Sequence, residues 1–153
     1  MRVLVTGGAG FIGSNFVRRA VNNSLPGISS IAVLDKLTYA GIKSNLDSLT
    51  GQIDYQFFKG DICDPDIVLK LLIEVDAVIN FAAESHVDRS ISSAAEFVST
   101  NVAGVQVLLD AIKASGLVPN MLMVNIGNNG EPILSWLRFW HGIEGDLGHY
   151  ILL

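Results

Sequence analysis

The feature that most constrains the fold is a short apolar strand that runs directly into a glycine-rich turn. Residues 3–5 are apolar, and the glycines that follow are Gly7, Gly10 and Gly13. In a dinucleotide-binding unit such glycines allow a tight turn, close approach of the main chain to a pyrophosphate, and close packing of the next helix. The N-terminus of that helix presents free N–H groups and the positive end of its dipole to the phosphates. The same turn also occurs in proteins that bind no dinucleotide, so the motif indicates a binding site only if the neighbouring sequence fits one.

A second apolar strand supplies that context. Residues 31–34 are apolar and Asp35 follows them, roughly 20 residues beyond the last glycine, where an acid that binds ribose is expected. We expect Asp35 to accept hydrogen bonds from the adenosine ribose hydroxyls. Its charge would repel a 2′-phosphate, so the sequence predicts a preference for NAD over NADP. The alternative is that Asp35 only caps the following turn.

Strands and helices alternate along most of the chain. Apolar patterns predict strands at 3–6, 31–35, 55–58, 77–82 and 121–125, and helices at 11–21, 65–73 and 94–115. This alternation is typical of an α/β protein with a Rossmann-type, doubly wound parallel sheet, which binds ligands at the carboxyl ends of its strands. We predict an NAD-binding domain over residues 1–125 and an atypical tail over 126–153, with little or no substrate domain.

Composition argues against several classes of function. Half of the 153 residues are apolar, but no apolar run reaches the roughly 18 residues of a membrane span, and a parallel sheet covered on both faces explains the content. The net charge of −5 and the absence of a Lys/Arg cluster argue against a nucleic-acid surface. The single cysteine, Cys63, excludes an internal disulfide, and no Cys/His group has metal-ligand spacing. Since the first residues already read as a core strand, we expect no signal peptide and a cytoplasmic location.

Three of the predicted strand ends resemble one family of enzymes. The segments are Leu-Asp-Lys-Leu-Thr-Tyr-Ala-Gly at 34–41, Gly-Asp-Ile-Cys-Asp at 60–64 and Ala-Ala-Glu-Ser-His-Val-Asp-Arg-Ser-Ile at 82–91. They are similar to the dTDP-glucose 4,6-dehydratases, which are extended short-chain dehydrogenase/reductases. The glycine motif belongs to the whole superfamily, whereas the segment at 34–41 separates this family from most epimerases and decarboxylases. The resemblance extends from residue 1 to about residue 118.

The resemblance implies a role for individual residues. Asp61 would accept from the adenine amino group while the main chain of Ile62 completes the contact, and Ser85 would also touch the hexose of a nucleotide sugar. His86, Asp88 and Arg89 are given no role. The full set predicted to bind NAD is Gly7, Gly10, Phe11, Ile12, Gly13, Asp35, Lys36, Leu37, Thr38, Asp61, Ile62, Phe81, Ala82, Ala83, Glu84, Ser85 and Thr100.

The resemblance also implies what a complete enzyme needs. In this family of lyases NAD takes a hydride from glucose C4, water leaves C5 and C6, and the hydride returns to C6. The catalytic groups lie in a Ser-Thr-Asp-Glu-Val-Tyr-Gly segment and a Tyr-x-x-x-Lys pair after the fifth strand, where this chain has neither. We therefore predict a catalytically incomplete NAD-binding part of such an enzyme. Another sugar-nucleotide epimerase or decarboxylase, and a noncatalytic NAD-binding or partner-binding module, are the alternatives.

The tail departs from the family pattern. Residues 125–131 resemble an Asn-Ile-Gly-Gly-Asn-Asn-Glu stretch that the family carries later, in its sugar-nucleotide domain. The tail is then a remnant of that domain, or alternatively a frameshifted end. Ile133, Trp136, Leu137 and Trp140 fall at helical spacing and predict an aromatic-rich helical stripe. Apolar surface left uncovered predicts a homo-oligomer.

Overall fold

The computed structural model describes residues 1–22, 25–49, 53–73, 75–84 and 94–115, and the backbone of 120–126 and 132–135. Within these residues six strands form one sheet in the order β3-β2-β1-β4-β5-β6. Strands β1 to β5 run parallel, and β6 pairs antiparallel with β5. The strands are β1 (Arg2–Thr6), β2 (Ser30–Asp35), β3 (Asp54–Lys59), β4 (Ala77–Asn80), β5 (Asn120–Ile126) and β6 (Pro132–Ser135).

Helices connect the parallel strands. The helices are α1 (Phe11–Val21), α2 (Pro65–Leu72), α3 (Ala94–Val98) and α4 (Val105–Ala114), with a short 3₁₀ helix at Lys43–Leu46. α3 and α4 are joined by a π-helical segment, Ser99–Gly104, so the helix predicted over 94–115 is present but contains a wider turn in its first half. α2 begins at Pro65 because the Asp64 side chain accepts from the N–H groups of Asp66 and Ile67, as an N-cap residue does.

Side chains of β1 alternate between two hydrophobic clusters, one on each face of the sheet. Val3 and Val5 belong to the cluster that contains Phe16 and Val17 of α1. Leu4 belongs to the other cluster, together with residues of α2 and α4. Because both faces are covered, the central strands are apolar on both sides. The sheet therefore confirms the predicted doubly wound α/β fold.

The chain beyond residue 118 agrees with one prediction and not with another. β5 confirms the predicted fifth strand. The predicted helical stripe is wrong at its first residue, because Ile133 lies in β6 and pairs with Asn125. The spacing of a few apolar residues carries no information about the edge of β5. The N–H and C=O groups at that edge bind a further strand, and this pairing makes residues 132–135 a strand. The other members of the stripe, Trp136, Leu137 and Trp140, lie outside the described residues.

Of the helices in the described part of the chain, none has both the length and the apolar character needed to cross a membrane.

Candidate functional site

The carboxyl ends of the first four strands open onto one cleft. Twelve of the residues predicted to bind NAD line it: Gly7, Gly10, Asp35, Lys36, Thr38, Asp61, Ile62, Phe81, Ala82, Ala83, Glu84 and Thr100. They come from the carboxyl ends of β1, β2, β3 and β4, from the loops that follow them, and from the π-helical segment. The cleft therefore lies where open parallel sheets bind their ligands.

The glycines of the first turn meet different constraints. Gly7 has φ +67°, and a Cβ there would lie 2.5 Å from the backbone nitrogen of Ala82. A Cβ on Gly13 would collide with the carbonyl oxygen of Gly7. Gly10 is different, because the nearest atom to its added Cβ is the Gly7 oxygen at 3.3 Å. Packing within the chain thus requires glycine at positions 7 and 13, while at position 10 the missing side chain mainly leaves room in the cleft.

Asp35 has two backbone partners as well as a place in the cleft. It is 7% exposed, and its carboxylate accepts from the N–H groups of Ala9 and Leu37, each at 2.8 Å. The acid therefore ties the glycine turn to the loop after β2 and also caps that loop. A carboxylate has about four acceptor positions, so these two bonds leave room for ribose hydroxyls.

An ion pair stands at the β3 side of the cleft. The Lys36 ammonium lies 2.6 Å from one carboxylate oxygen of Asp61, and the Cys63 N–H donates to the other at 3.0 Å. Burial acts to raise the pKa of Asp61, but the hydrogen bonds from Lys36 and Cys63 outweigh it and the net shift is downward. The bond to Asp61 raises the pKa of Lys36. Asp61 is therefore a carboxylate acceptor at neutral pH, as recognition of an amino group requires.

The β4 side of the cleft is held by Asn101 of the π-helical segment. Its side-chain oxygen accepts from the Glu84 N–H at 2.8 Å, and its amide donates to the Glu84 carbonyl at 2.9 Å. These two bonds fix the backbone of the loop after β4. The Glu84 side chain in turn accepts from the Tyr39 hydroxyl at 2.9 Å, which joins the loops after β2 and β4.

Comparisons with known proteins agree with this geometry. A family model described as GDP-mannose 4,6 dehydratase matches residues 4–128. The chain belongs to this dehydratase family. A dTDP-glucose 4,6-dehydratase of Streptomyces niveus is 57% identical over 113 residues, which are 72% of this chain and 34% of that protein. The low-salt glycan biosynthesis protein Agl12 of Haloferax volcanii is 56% identical over 111 residues, 72% of this chain and 35% of that protein.

Solved structures show the same likeness. DesIV, a dTDP-glucose 4,6-dehydratase from Streptomyces venezuelae with NAD and TYD bound, is 48% identical with a TM-score of 0.70, covering 76% of this chain and 37% of DesIV. UDP-glucose 4-epimerase from Brucella ovis, in complex with NAD, is 32% identical with a TM-score of 0.66, covering 80% of this chain and 34% of that one. These findings confirm the family resemblance. The chain spans about a third of the length of the curated relatives it matches.

Several predicted residues of this dehydratase-family chain do not line the cleft. Phe11 is 90% exposed and Ile12 36% exposed at the start of α1, while Gly13 lies behind the turn. Leu37 packs against the cluster on the α1 side of the sheet. Ser85, together with His86, Asp88 and Arg89, lies outside the described residues. The roles given to Phe11, Ile12, Gly13, Leu37 and Ser85 stay predictions.

Sequence reasoning missed Asn101 and Tyr39. The only sign of Asn101 is the polar run Ser-Thr-Asn at 99–101, which has low helix propensity within an apolar helical pattern. Tyr39 belongs to the recognised segment 34–41, but nothing in the sequence indicates its bond to a residue 45 positions away.

Two Tyr-x-x-x-Lys spacings occur before β5, and neither forms a catalytic pair. Tyr55 and Lys59 both lie on β3, where four residues span about 13 Å. Tyr39 and Lys43 have different partners. The Tyr39 hydroxyl donates to Glu84 across the cleft, and the Lys43 ammonium lies 5.4 Å from the ring centroid of Phe57. The spacing has catalytic meaning only where a helix places both side chains on one face.

Proposed function

We propose that this chain is the NAD-binding part of a dTDP-glucose 4,6-dehydratase. The observation that carries the proposal is the convergence of the glycine turn, Asp35 and Asp61 on one cleft at the strand ends. DesIV and the Brucella ovis epimerase, both with NAD bound, have the same fold. The NAD-binding domain covers about residues 1–125, and 126–153 form the tail.

Each part of NAD has a matching group in the cleft. The pyrophosphate lies at Gly10, next to the N-terminus of α1, where no side-chain cap uses the free N–H groups among the described residues. The adenosine ribose bonds to Asp35, and the adenine amino group bonds to Asp61. The nicotinamide end would be held by Phe81, Ala82, Ala83 and Thr100, which line the same cleft. When bound, NAD supplies the hydride acceptor, while this chain binds and orients it.

The sugar substrate belongs to the same proposal. We propose that the complete protein acts on dTDP-glucose, because the Streptomyces niveus relative is a dTDP-glucose 4,6-dehydratase at 57% identity and DesIV binds TYD in its crystal structure. A sugar-nucleotide epimerase is the second candidate, supported by the epimerase structures but at 32% rather than 48% identity. A noncatalytic NAD-binding or partner-binding module is the remaining alternative for this chain by itself.

We also propose that the chain forms a homo-oligomer. A cytoplasmic location stays a prediction from the sequence.

Titration calorimetry tests the cofactor proposal. The purified chain is titrated with NAD and with NADP, and we expect tighter binding of NAD. Asp35→Ala should weaken NAD binding by about 1–3 kcal/mol, since a hydrogen bond to a charged group is lost. Asp54→Ala is the control. It removes an exposed carboxylate at the first residue of β3, the end of that strand that lies away from the cleft. Equal affinity for NAD and NADP would contradict the role of Asp35, and binding of neither would refute the proposed function.

A further inference from the structure

The segment between β2 and the 3₁₀ helix bridges the two sides of the cleft. We call residues 36–41 the strap. The sheet order places β3 and β4 on opposite sides of β2 and β1. From the strap, Lys36 reaches Asp61 after β3, and Tyr39 reaches Glu84 after β4. The strap is therefore attached to both walls of the cleft.

The strap is held in an unusual conformation. Leu37 has φ +57°, in the left-handed region that residues other than glycine seldom adopt. Its N–H donates to Asp35 at 2.8 Å, and the Gly41 N–H donates to the Thr38 carbonyl at 3.2 Å. A disfavoured backbone conformation persists only where surrounding contacts hold it, and such residues concentrate at ligand clamps and switch regions.

The bond from Tyr39 ends on an anchored residue. The Glu84 backbone is held by both ends of the Asn101 amide, and its side chain accepts from the Tyr39 hydroxyl at 2.9 Å. Tyr39 is 39% exposed, which places the bond at the rim of the cleft. The phenol and the carboxylate bond to each other, and opening the strap on the β4 side has to break that bond.

We propose that the Tyr39–Glu84 hydrogen bond is a latch that holds the strap across the cleft and slows the exchange of bound dinucleotide. The inference rests on the proposed function, because it requires a dinucleotide in the cleft. Since the latch joins two parts of the chain, its removal lowers the barrier to entry and to release by the same factor. A residue that contacted the dinucleotide directly would change the affinity and the release rate instead.

Stopped-flow kinetics with NADH tests the latch. Entry is followed by NADH fluorescence on mixing, and release by displacement with excess NAD. Tyr39→Phe should raise both rates about two- to tenfold, the range that one net hydrogen bond provides, with less than about a twofold change in affinity. Tyr55→Phe, which removes a phenol hydroxyl outside the cleft, should change neither rate.

The outcomes separate the latch from the proposed function. Unchanged rates in Tyr39→Phe would overturn the latch and leave NAD binding intact. A faster release with an unchanged entry rate and a proportional loss of affinity would also overturn it, since Tyr39 would then contact the dinucleotide itself. Failure of the unaltered chain to bind NADH would overturn the proposed function and this inference together.

Discussion

Gly10 and Gly13 belong to one motif but are glycine for different reasons. A Cβ at position 13 meets backbone, whereas a Cβ at position 10 meets one atom at 3.3 Å. Gly13→Ala should therefore lower the free energy of unfolding by about 1–3 kcal/mol, as overpacking does. Gly10→Ala, at the N-cap of α1, should cost less, about 1 kcal/mol or below, yet weaken NAD binding. Denaturant unfolding and calorimetry on both variants measure the contrast. Full NAD affinity in Gly10→Ala would place the pyrophosphate elsewhere.

The Lys36–Asp61 pair should give stability a particular dependence on pH. The pKa of Asp61 is lowered in the folded chain, so its contribution is present above the ordinary aspartate pKa and is lost as pH falls through the folded value. The pKa of Lys36 is raised, so its contribution is present below the ordinary lysine pKa and is lost as pH rises through the folded value. The pair therefore stabilises the fold between about pH 4 and pH 10.

The size of this effect is limited by exposure. The Lys36 side chain is 59% exposed and that of Asp61 28%, so we expect Lys36→Met to cost at most about 1 kcal/mol at pH 7. The difference from the unaltered chain should be smaller near pH 2, because protonation of Asp61 removes the pair. Denaturant unfolding across this pH range measures it, with Lys70→Met on α2 as a control for loss of one positive charge. A difference that is the same at both pH values would contradict the pairing.

Among the elements, the sequence predicts those whose pattern is local. The central strands are recognisable in the sequence because a strand buried on both faces is a continuous apolar run. α1 is recognisable because its apolar residues recur at helical spacing. Asp35 and Asp61 were found because each follows a strand. Asn101 was missed because its partner lies 17 residues away and a 3.6-residue period does not show a π-helical turn. β6 was missed because its strand character depends on the edge of β5.

The π-helical segment matters because it brings Asn101 to the loop after β4. Asn101→Ala should leave the Glu84 N–H and C=O without these partners, which costs about 1–3 kcal/mol of stability and loosens the nicotinamide side of the cleft. Asn101→Asp keeps an acceptor but cannot donate to the Glu84 carbonyl, and it should lose both stability and NADH affinity. Ser99→Ala, in the same segment, is the control. Urea unfolding and NADH titration together measure the effect. Normal NADH affinity in both Asn101 variants would show that this clamp does not support the site.

At the scale of the whole molecule, several large apolar side chains of the described residues are exposed. Phe97, Val98 and Val102 are 37%, 55% and 59% exposed and lie on α3 and the π-helical segment. Exposed apolar side chains that lie close together in sequence on a helix are a candidate for an interaction site. We expect the chain to form a dimer or larger species in analytical ultracentrifugation, and the pair Val98→Glu and Val102→Glu to shift it toward monomer. A monomeric unaltered chain that binds no hydrophobic dye would contradict this.

Under the proposed function the cleft binds NAD without the acid and base of a dehydratase, so we expect that this chain by itself does not convert dTDP-glucose to the 4-keto-6-deoxy product. Removal of the C4 hydride needs a base at the 4-hydroxyl, and loss of water needs a proton donor at C6. Each such group contributes about 10²- to 10⁴-fold, so NAD bound without them should give no detectable turnover. After β5 the sequence offers Tyr150 but no lysine beyond Lys113. Absorbance of the 4-keto sugar in alkali measures product, with the Streptomyces niveus enzyme as positive control. Product that persists in Tyr150→Phe and is absent from an identically purified Gly10→Ala chain would contradict this prediction, and Glu84, His86 and Asp88 would be the next residues to test by substitution.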